Sequence, residues 1–186
     1  MHNIFFLFLG ILFVLIIYAV ALYNKFIYQD NLCQEAWSGI DVQLKRRYDL
    51  IPNLVNTVKG YAAHENEVLA RVTELRNQAM AAQDLTKKNE LEGELTSTLK
   101  TLFALSESYP ELKANQNFIV LQNSLMEIED NLQNARRYYN ATVRNFNVLV
   151  DSFPSNILAR KFKFTKKEYF EVENDLERKN VEVKIN

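Results

Sequence analysis

Charged and amide side chains recur at helical spacing near the middle of the first half of the 186-residue chain. Asp49 and Asn53 are four residues apart, so a helix places them on one face, with Arg46 and Arg47 nearby. Such groups can perform acid–base chemistry when they converge in a cleft. A complementary set follows in the second half of the chain, at Glu127, Asp130, Arg136, Arg137, Tyr139 and Asn140.

A structural network is the interpretation that we favour for these two sets. A charge buried between helices is tolerable when it is paired and hydrogen-bonded, and such pairs fix the register of long helices. We predict that Arg46 or Arg47 pairs with an acid of the later set, and that Asp49 pairs with Arg136 or Arg137. The alternative is that these residues form solvated helix faces.

Known catalytic and cofactor motifs are missing from the sequence. It has no glycine-rich phosphate loop and no HExxH motif, and His64-Glu65 has no second histidine at helical spacing. One cysteine excludes an internal disulfide, and a net charge of -1 gives no global bias toward nucleic acid. We therefore expect no cofactor, no metal, no small-molecule substrate and no nucleic acid partner, and we expect that the protein is not an enzyme.

The N-terminal segment IFFLFLGILFVLIIYAVALY (residues 4–23) contains no charged residue. A helix of this length spans about 30 Å, the thickness of the hydrocarbon core of a bilayer. We predict an uncleaved membrane anchor over residues 1–29. The alternative is a cleaved signal peptide, because Ala19-Val20-Ala21 resembles a signal-peptidase site. Lys25 follows the segment closely, which favours a single-pass membrane protein with a cytoplasmic helical domain. The alternative is that the helical domain lies on the extracytoplasmic side of the membrane.

Apolar periodicity predicts long helices after the anchor. One stripe runs from Trp37 to Ala62 with gaps of three and four, and it crosses Pro52 in phase. We predict one helix over roughly 30–82, kinked between Tyr48 and Pro52; two helices meeting at Ile51 are the alternative. Further helices are predicted over about 87–108, capped by Asp84 or Thr86, over about 115–152, and over a short stretch from Ser155.

The predicted fold is therefore all-α: an N-terminal transmembrane helix followed by an antiparallel up-and-down bundle of three long helices and a short one, similar to a four-helix bundle. The bundle covers residues 30–171 and a tail covers 172–186. KFKFT and VEVKI alternate like strands but are too short to stand alone. The basic run Arg160, Lys161, Lys163, Lys166 and Lys167 is either a solvated connector or a contact for anionic lipid or nucleic acid.

Several separated motifs resemble the LemA family of bacterial membrane proteins. They are AWSGIDVQLKRRYDLIPNLVNTVKGYAAHE, ESYPELKANQNF, ARRYYNATVRNFN, FPSNILA and YFE. The resemblance implies a single N-terminal anchor followed by an antiparallel helical bundle, and it implies no catalytic or ligand-binding role. Asp130-Asn131 stands where Glu-Asn is usual, and Phe146 where Tyr is usual. The resemblance carries over packed motif residues at Trp37, Asp41, Leu44, Arg47, Tyr48, Asp49, Pro52, Asn53, Glu107, Tyr109, Pro110, Leu112, Asn115, Arg136, Tyr139, Asn140, Asn147, Pro154 and Phe170.

Helix lengths suggest how such a protein acts. A straight helix over 30–82 is longer than its predicted neighbours, so the stripe at Trp37, Ile40 and Leu44 is predicted to be an exposed interaction surface. Tethering to a membrane favours lateral association, so we expect a homo-oligomer or another membrane protein as partner. The resulting hypothesis is a membrane-anchored scaffold or adaptor. A sensor that acts through a bend at Pro52 is the alternative, and an enzyme is a third class.

Overall fold

A computed structural model describes residues 2–62 and 65–170, and within those ranges it contains six helices and no β-strand. The all-α prediction is therefore confirmed. The predicted tail at 172–186, including VEVKI, lies outside the described residues. The helices are α1 (His2–Lys59), α2 (Asn66–Ala81), α3 (Leu85–Ser106), α4 (Pro110–Lys113), α5 (Gln116–Asp151) and α6 (Ser155–Phe162).

Helix α1 begins with the apolar segment and continues without interruption through Pro52. The prediction that the stripe crosses the proline is confirmed, and the alternative of two helices meeting at Ile51 is wrong. The predicted end near residue 82 is also wrong, because α1 ends at Lys59. The amides of Tyr61 and Ala62 both donate to the carbonyl of Val58, at 2.9 Å each, and close the helix there.

Helices α2 and α3 form a hairpin, and their short connection falls where the predicted helices over 30–82 and 87–108 leave a gap. Asp84 is the N-cap of α3, and its carboxylate accepts a hydrogen bond from the amide of Lys87 at 2.8 Å. The buried face of α3 carries a stripe of leucines, among them Leu91, Leu95 and Leu99. Burial of this face against neighbouring helices supplies most of the stability of such a hairpin.

Helix α5 follows the short helix α4 and agrees with the helix predicted over 115–152. The side chain of Asn115 accepts a hydrogen bond from the amide of Phe118 at 3.0 Å and so satisfies an unpaired donor of the first turn. The α5 stripe is buried at Phe118, Leu132 and Phe146. The helix ends at Asp151, shortly before Pro154.

The chain after α6 lies along α5 and is held by side chains. Lys163 has a left-handed conformation with φ of 60°, which ends α6. The amide group of Asn147 then bonds to both the N–H and the carbonyl of Lys167, at 2.9 Å each. The hydroxyl of Tyr139 donates to the carbonyl of Glu168 at 3.1 Å. These bonds give the irregular segment after α6 partners for its backbone groups.

The described residues form two compact units, each with its own core. Unit 1 contains the chain up to Val42 and Gln133–Tyr169, and unit 2 contains Gln43–Leu132 with Phe170. In unit 1, Phe26 contacts Phe146 and Trp37 contacts Tyr139, so α1 and α5 run antiparallel there. In unit 2, the contacts of Thr96 with Glu129 and of Phe103 with Phe118 make α3 and α5 antiparallel.

Candidate functional site

Unit 2 contains a buried ionic cluster centred on Arg47, which we call the Arg47 cluster: Arg47, Tyr48, Glu92, Thr96 and Glu129. One terminal nitrogen of Arg47 lies 3.0 Å from a Glu92 oxygen and 3.2 Å from a Glu129 oxygen. The other donates to the Thr96 hydroxyl at 2.7 Å. Because the residues come from α1, α3 and α5, the cluster joins three helices.

The Glu92 carboxylate is the most enclosed group of the cluster, with 0% of its surface exposed. One oxygen contacts Arg47, and the other accepts a hydrogen bond from the Tyr48 hydroxyl. The Thr96 hydroxyl also donates to Glu129, at 3.4 Å. Removing one partner from such a cluster leaves a buried charge uncompensated, which is strongly destabilising. Loss of any one partner is therefore expected to destabilise the packing of the three helices.

Arg76 of α2 compensates for Pro52 in α1. Proline has no N–H, so the carbonyl four residues earlier, that of Tyr48, loses its usual donor within the helix. The Nε–H of Arg76 donates to this carbonyl at 2.7 Å. The neighbouring helix thus supplies the missing hydrogen bond, and α1 continues through the proline. Tyr48 is bonded to α3 by its hydroxyl and to α2 by its carbonyl.

The structure brings together only part of the predicted network. Arg47 pairs with Glu129, an acid of the helix in which a partner for Arg46 or Arg47 was predicted. The pairing of Asp49 with Arg136 or Arg137 stays a prediction. Six predicted members are exposed, as the solvated alternative expects: Arg46, Asp49, Asn53, Glu127, Asp130 and Arg137.

The remaining predicted members lie on α5 in unit 1. Arg136 and Tyr139 are buried, and Asn140 is half-buried. The Tyr139 ring packs edge-on against Trp37 at 5.5 Å between centroids. Burial raises the pKa of the Tyr139 hydroxyl, and the charges of Cys33 and Glu168 raise it further. The neutral hydroxyl is therefore maintained as the donor to the carbonyl of Glu168.

The prediction of an exposed stripe at Trp37, Ile40 and Leu44 is wrong as to exposure. Ile40 is 0% and Leu44 is 1% exposed, and Trp37 is half-buried against Tyr139. The argument assumed a first helix that reaches residue 82. Because α1 ends at Lys59, the 36-residue α5 is long enough to cover the part of α1 near Trp37.

Sequence reasoning missed Glu92 and Thr96, although one signal for Glu92 was present. Glu92 and Ser106 are in phase with the leucine stripe of α3, at the series 92, 95, 99, 102 and 106. An acid at an apolar position of a stripe indicates a buried carboxylate that needs a partner. Thr96 has no such signal, because it lies beside the stripe rather than in it.

Cys33 is a second buried titratable group, in unit 1. Burial raises the pKa of its thiol above the ordinary 9.0, and hydrogen bonding with Thr142 partly offsets the effect. Within residues 2–62 and 65–170, no three His, Cys, Asp or Glu side chains are grouped to hold a metal ion. The buried thiol packs as a small apolar core group, and its raised pKa disfavours the thiolate.

A groove of about 630 Å³ lies between α1 and α2 in unit 2. It is lined by Val55, Lys59, Asn66, Leu69, Ala70, Thr73, Glu74 and Asn77. This lining contains no pairing of a nucleophile with a base. Among the described residues, the side chains of the Arg47 cluster bind one another and so join three helices.

A family comparison agrees with this architecture. The model of the LemA family matches residues 36–185, which cover most of the chain. The chain belongs to the LemA family. Its Arg47 cluster, Pro52 and Asn147 all lie inside the matched LemA region, and so does the segment that Asn147 holds.

Curated relatives carry two names. Magnetosome protein MamQ 2 of Paramagnetospirillum magneticum is 25% identical over 175 residues, which cover 80% of this chain and 64% of the relative. Protein LemA of Metamycoplasma hominis is 29% identical over 139 residues, which cover 74% of this chain and 64% of the relative. The chain thus spans about 64% of the length of these relatives. Neither name denotes a reaction.

Proposed function

We propose that this LemA-family protein is a membrane-anchored helical scaffold or adaptor without catalytic activity, and that residues 4–23 are its single membrane span. The N-terminal part of α1 is long and apolar enough to cross a bilayer, with a mean hydropathy of 3.0 in a window that is 0% buried. Exposed side chains of this apolarity, such as Phe5, Phe8 and Phe13, are stable in lipid rather than in water.

The observation that carries the proposal is the continuity between the apolar segment and the core of unit 1. Phe26 follows Tyr23 by less than one helical turn and is 0% exposed, packed against Phe146 and Phe164. Packing thus starts inside the segment predicted as anchor, residues 1–29. No flexible linker separates the apolar segment from the packed helices of unit 1, so the anchor would hold that unit at the membrane.

Self-association is the second part of the proposal. Restricting chains to a membrane plane raises their effective concentration, so weak contacts between anchors or helical units suffice for a homo-oligomer. Another membrane protein could use the same contacts. Since Ile40 and Leu44 are buried within one chain, the contacts must lie elsewhere.

The proposal is tested by the mass of the full-length protein in mild detergent, beside a version that lacks residues 1–21. This truncation keeps Tyr23 and Phe26, whose removal would expose the core of unit 1. A discrete oligomer that requires residues 1–21 supports assembly through the anchor. Monomers in both forms reject self-association, and recovery of the full-length chain in the soluble fraction without detergent rejects the anchor.

A cross-linking version of the test needs an introduced cysteine, because Cys33 is buried. Tyr28 is 62% exposed and close to the anchor, so Tyr28→Cys in a Cys33→Ala background is suitable. Rapid disulfide cross-linking of this variant in membranes supports neighbouring anchors. Glu111→Cys in unit 2, also exposed, reports the background of random collisions.

The proposed location is the bacterial inner membrane, with the helical domain on the cytoplasmic side, because Lys25 follows the apolar segment. Labelling of the Tyr28→Cys variant with a membrane-impermeant maleimide tests the side. Labelling only after permeabilisation of the inner membrane agrees with the proposal. Labelling from the periplasm reverses the orientation and leaves the anchor in place.

A sensor function has one observation in its favour. The proline turn of α1 is connected to two other helices through the carbonyl and the hydroxyl of Tyr48, so a bend there would move both connections. Spin–spin distances between labels on α1 and α2 test this alternative. Two distance populations whose ratio changes with conditions favour a sensor, whereas one narrow population favours a fixed scaffold.

A further inference from the structure

The end of α6 packs against the end of the apolar segment in unit 1. The Phe162 ring lies 4.9 Å from the Tyr23 ring, and the Phe164 ring lies 6.1 Å from it, between centroids. Phe164 also stacks on Phe26 at 4.7 Å with an interplanar angle of 6°. Tyr23 is the last residue of the apolar segment, residues 4–23. Residues 162–164 therefore lie at the level at which the apolar segment ends.

Basic residues flank both partners of this contact in the sequence. Lys25, Arg160, Lys161 and Lys163 are exposed, and in the part of the chain that the structure describes none of them forms an ion pair. Two further lysines of the run are neutralised, Lys166 by Asp151 at 2.7 Å and Lys167 by Asp30 at 2.6 Å. We call the four unpaired residues the basic surface.

Exposed apolar side chains accompany the basic surface. Ile157 is 57% exposed on α6, and it shares a helix face with Arg160 and Lys161 because it precedes them by three and four residues. Phe162 is 50% exposed despite its contact with Tyr23. Apolar and basic groups together at the end of a span are typical of a membrane interface, where stems enter the acyl boundary and charges reach headgroups.

We propose that the basic surface binds the anionic headgroups of the same membrane that α1 enters. This inference rests on the proposed anchor. The headgroup layer extends about 5–7 Å beyond the hydrocarbon core, and Lys25 lies about 3 Å along the helix from Tyr23. Phe162 contacts Tyr23 directly, so the neighbouring residues Arg160, Lys161 and Lys163 lie within reach of this layer.

A membrane fits the basic surface better than a nucleic acid does. Both offer phosphates, but a bilayer already surrounds Tyr23 if residues 4–23 span it, whereas a nucleic acid would have to enter the headgroup layer. The exposed Ile157 and Phe162 also suit an acyl boundary. Each basic side chain at a membrane surface strengthens binding of anionic lipid about fivefold. The surface is thus expected to concentrate anionic lipid around the anchor.

The test uses the full chain in vesicles, with a fluorescent probe on Ile157→Cys in a Cys33→Ala background. Vesicles contain phosphatidylcholine and phosphatidylglycerol, and a spin label is placed on the headgroup of either lipid at equal mole fraction. We expect both labelled lipids to quench the probe, and phosphatidylglycerol to quench it more. The double variant R160Q/K161Q should lower the preference for phosphatidylglycerol by about 25-fold, since each charge contributes about fivefold, and 0.5 M salt should lower it too.

The matched control is K87Q/K100Q, which removes two lysines from α3 and leaves α6 unchanged. It should retain the preference. An unquenched probe overturns the placement of α6 at the bilayer, and equal quenching by both lipids overturns the recognition of anionic headgroups. A preference for an RNA oligonucleotide with no lipid preference assigns the surface to nucleic acid and also overturns the proposal.

A separate readout distinguishes failure of the anchor. Vesicles of pure phosphatidylcholine are floated at high salt and alkaline pH, where the basic surface contributes nothing. Flotation of the chain under these conditions supports the span, whatever the quenching result. If the chain stays at the bottom of the gradient, the membrane span is rejected, and with it the proposed function, independently of the quenching result.

Discussion

Replacing Arg47 with methionine tests whether the Arg47 cluster holds α1, α3 and α5 together. The substitution keeps an apolar stem of similar length but removes the guanidinium that contacts Glu92, Thr96 and Glu129. Because the Glu92 side chain is 0% exposed, its carboxylate would lose its compensating charge while it remains buried. We expect a loss of about 3–5 kcal/mol in the free energy of unfolding.

Arg46→Met is the matched control, since it makes the same chemical change one residue earlier. Arg46 is exposed, so its substitution should change the free energy of unfolding by no more than about 0.5 kcal/mol. Urea unfolding of the full-length protein in mild detergent, followed by circular dichroism, measures both variants. If Arg46→Met and Arg47→Met destabilise the protein equally, the cluster is not the cause.

A double variant separates the charge from the volume of the side chain. Arg47→Met with Glu92→Leu removes the buried carboxylate as well, and a leucine at 92 is in phase with Leu95 and Leu99. We expect this variant to recover about 2 kcal/mol relative to Arg47→Met alone, with the lost bonds of Tyr48 and Glu129 limiting the recovery. A double variant as unstable as the single one would refute the reasoning.

Three further predictions concern the other buried polar contacts. Arg76→Met should lower the free energy of unfolding by about 1–2 kcal/mol, because the carbonyl of Tyr48 loses its donor. In a Pro52→Ala background, residue 52 regains an N–H, so Arg76→Met should cost less. An unchanged cost in urea unfolding would contradict the idea that Arg76 compensates for Pro52. Asn147→Ala should release the segment after α6 by removing both bonds to Lys167, so trypsin should cleave faster after Lys163 or Lys166 in limited digestion. The control Asn145→Ala changes an exposed position and should leave the cleavage rate unchanged. The raised pKa of Cys33 means that the folded state keeps the thiol proton above pH 9.0, where the unfolded chain loses it. The free energy of unfolding should therefore fall as pH rises through and above that value. Cys33→Ala should reduce this dependence on pH, and an identical dependence in both proteins would contradict the prediction.

Local signals predicted most helix boundaries but missed the turn between α1 and α2. The apolar stripe continues through Val58 and Ala62, and both residues are buried. Periodicity is therefore kept across residues 60–62 although the helix has ended. Gly60, which has a weak helix propensity, was the local signal for the break. Placing this end at residue 82 also produced the wrong expectation of an exposed stripe at Ile40 and Leu44.

The sequence predicted that an arginine of α1 pairs with an acid of α5, but it did not predict the second acid that pairs with this arginine. The position of Arg47 beside the α1 stripe indicated a charge near a packing surface, and an acid of α5 is indeed its partner. Its other carboxylate, Glu92, comes from α3, which the sequence pattern presented as a leucine stripe. The donor for the Tyr48 carbonyl was also unpredicted, because any of several arginines could have reached it. Helix periodicity identifies the packed face of each helix, whereas the bonding partner of a residue depends on which helix packs against that face.

By itself, the sequence determined the all-α class, the apolar N-terminal helix, the apolar stripe that crosses Pro52 and the extent of α5, because these depend on spacing and on residue type along one chain. Only the tertiary structure decided that Glu92 completes the Arg47 cluster, that Arg76 replaces the donor missing at Pro52, and that α6 contacts Tyr23. The physical reason is that each of these contacts joins residues from different helices. A hydrogen bond or ion pair requires atoms within about 3–4 Å, and only packing in three dimensions brings such atoms together.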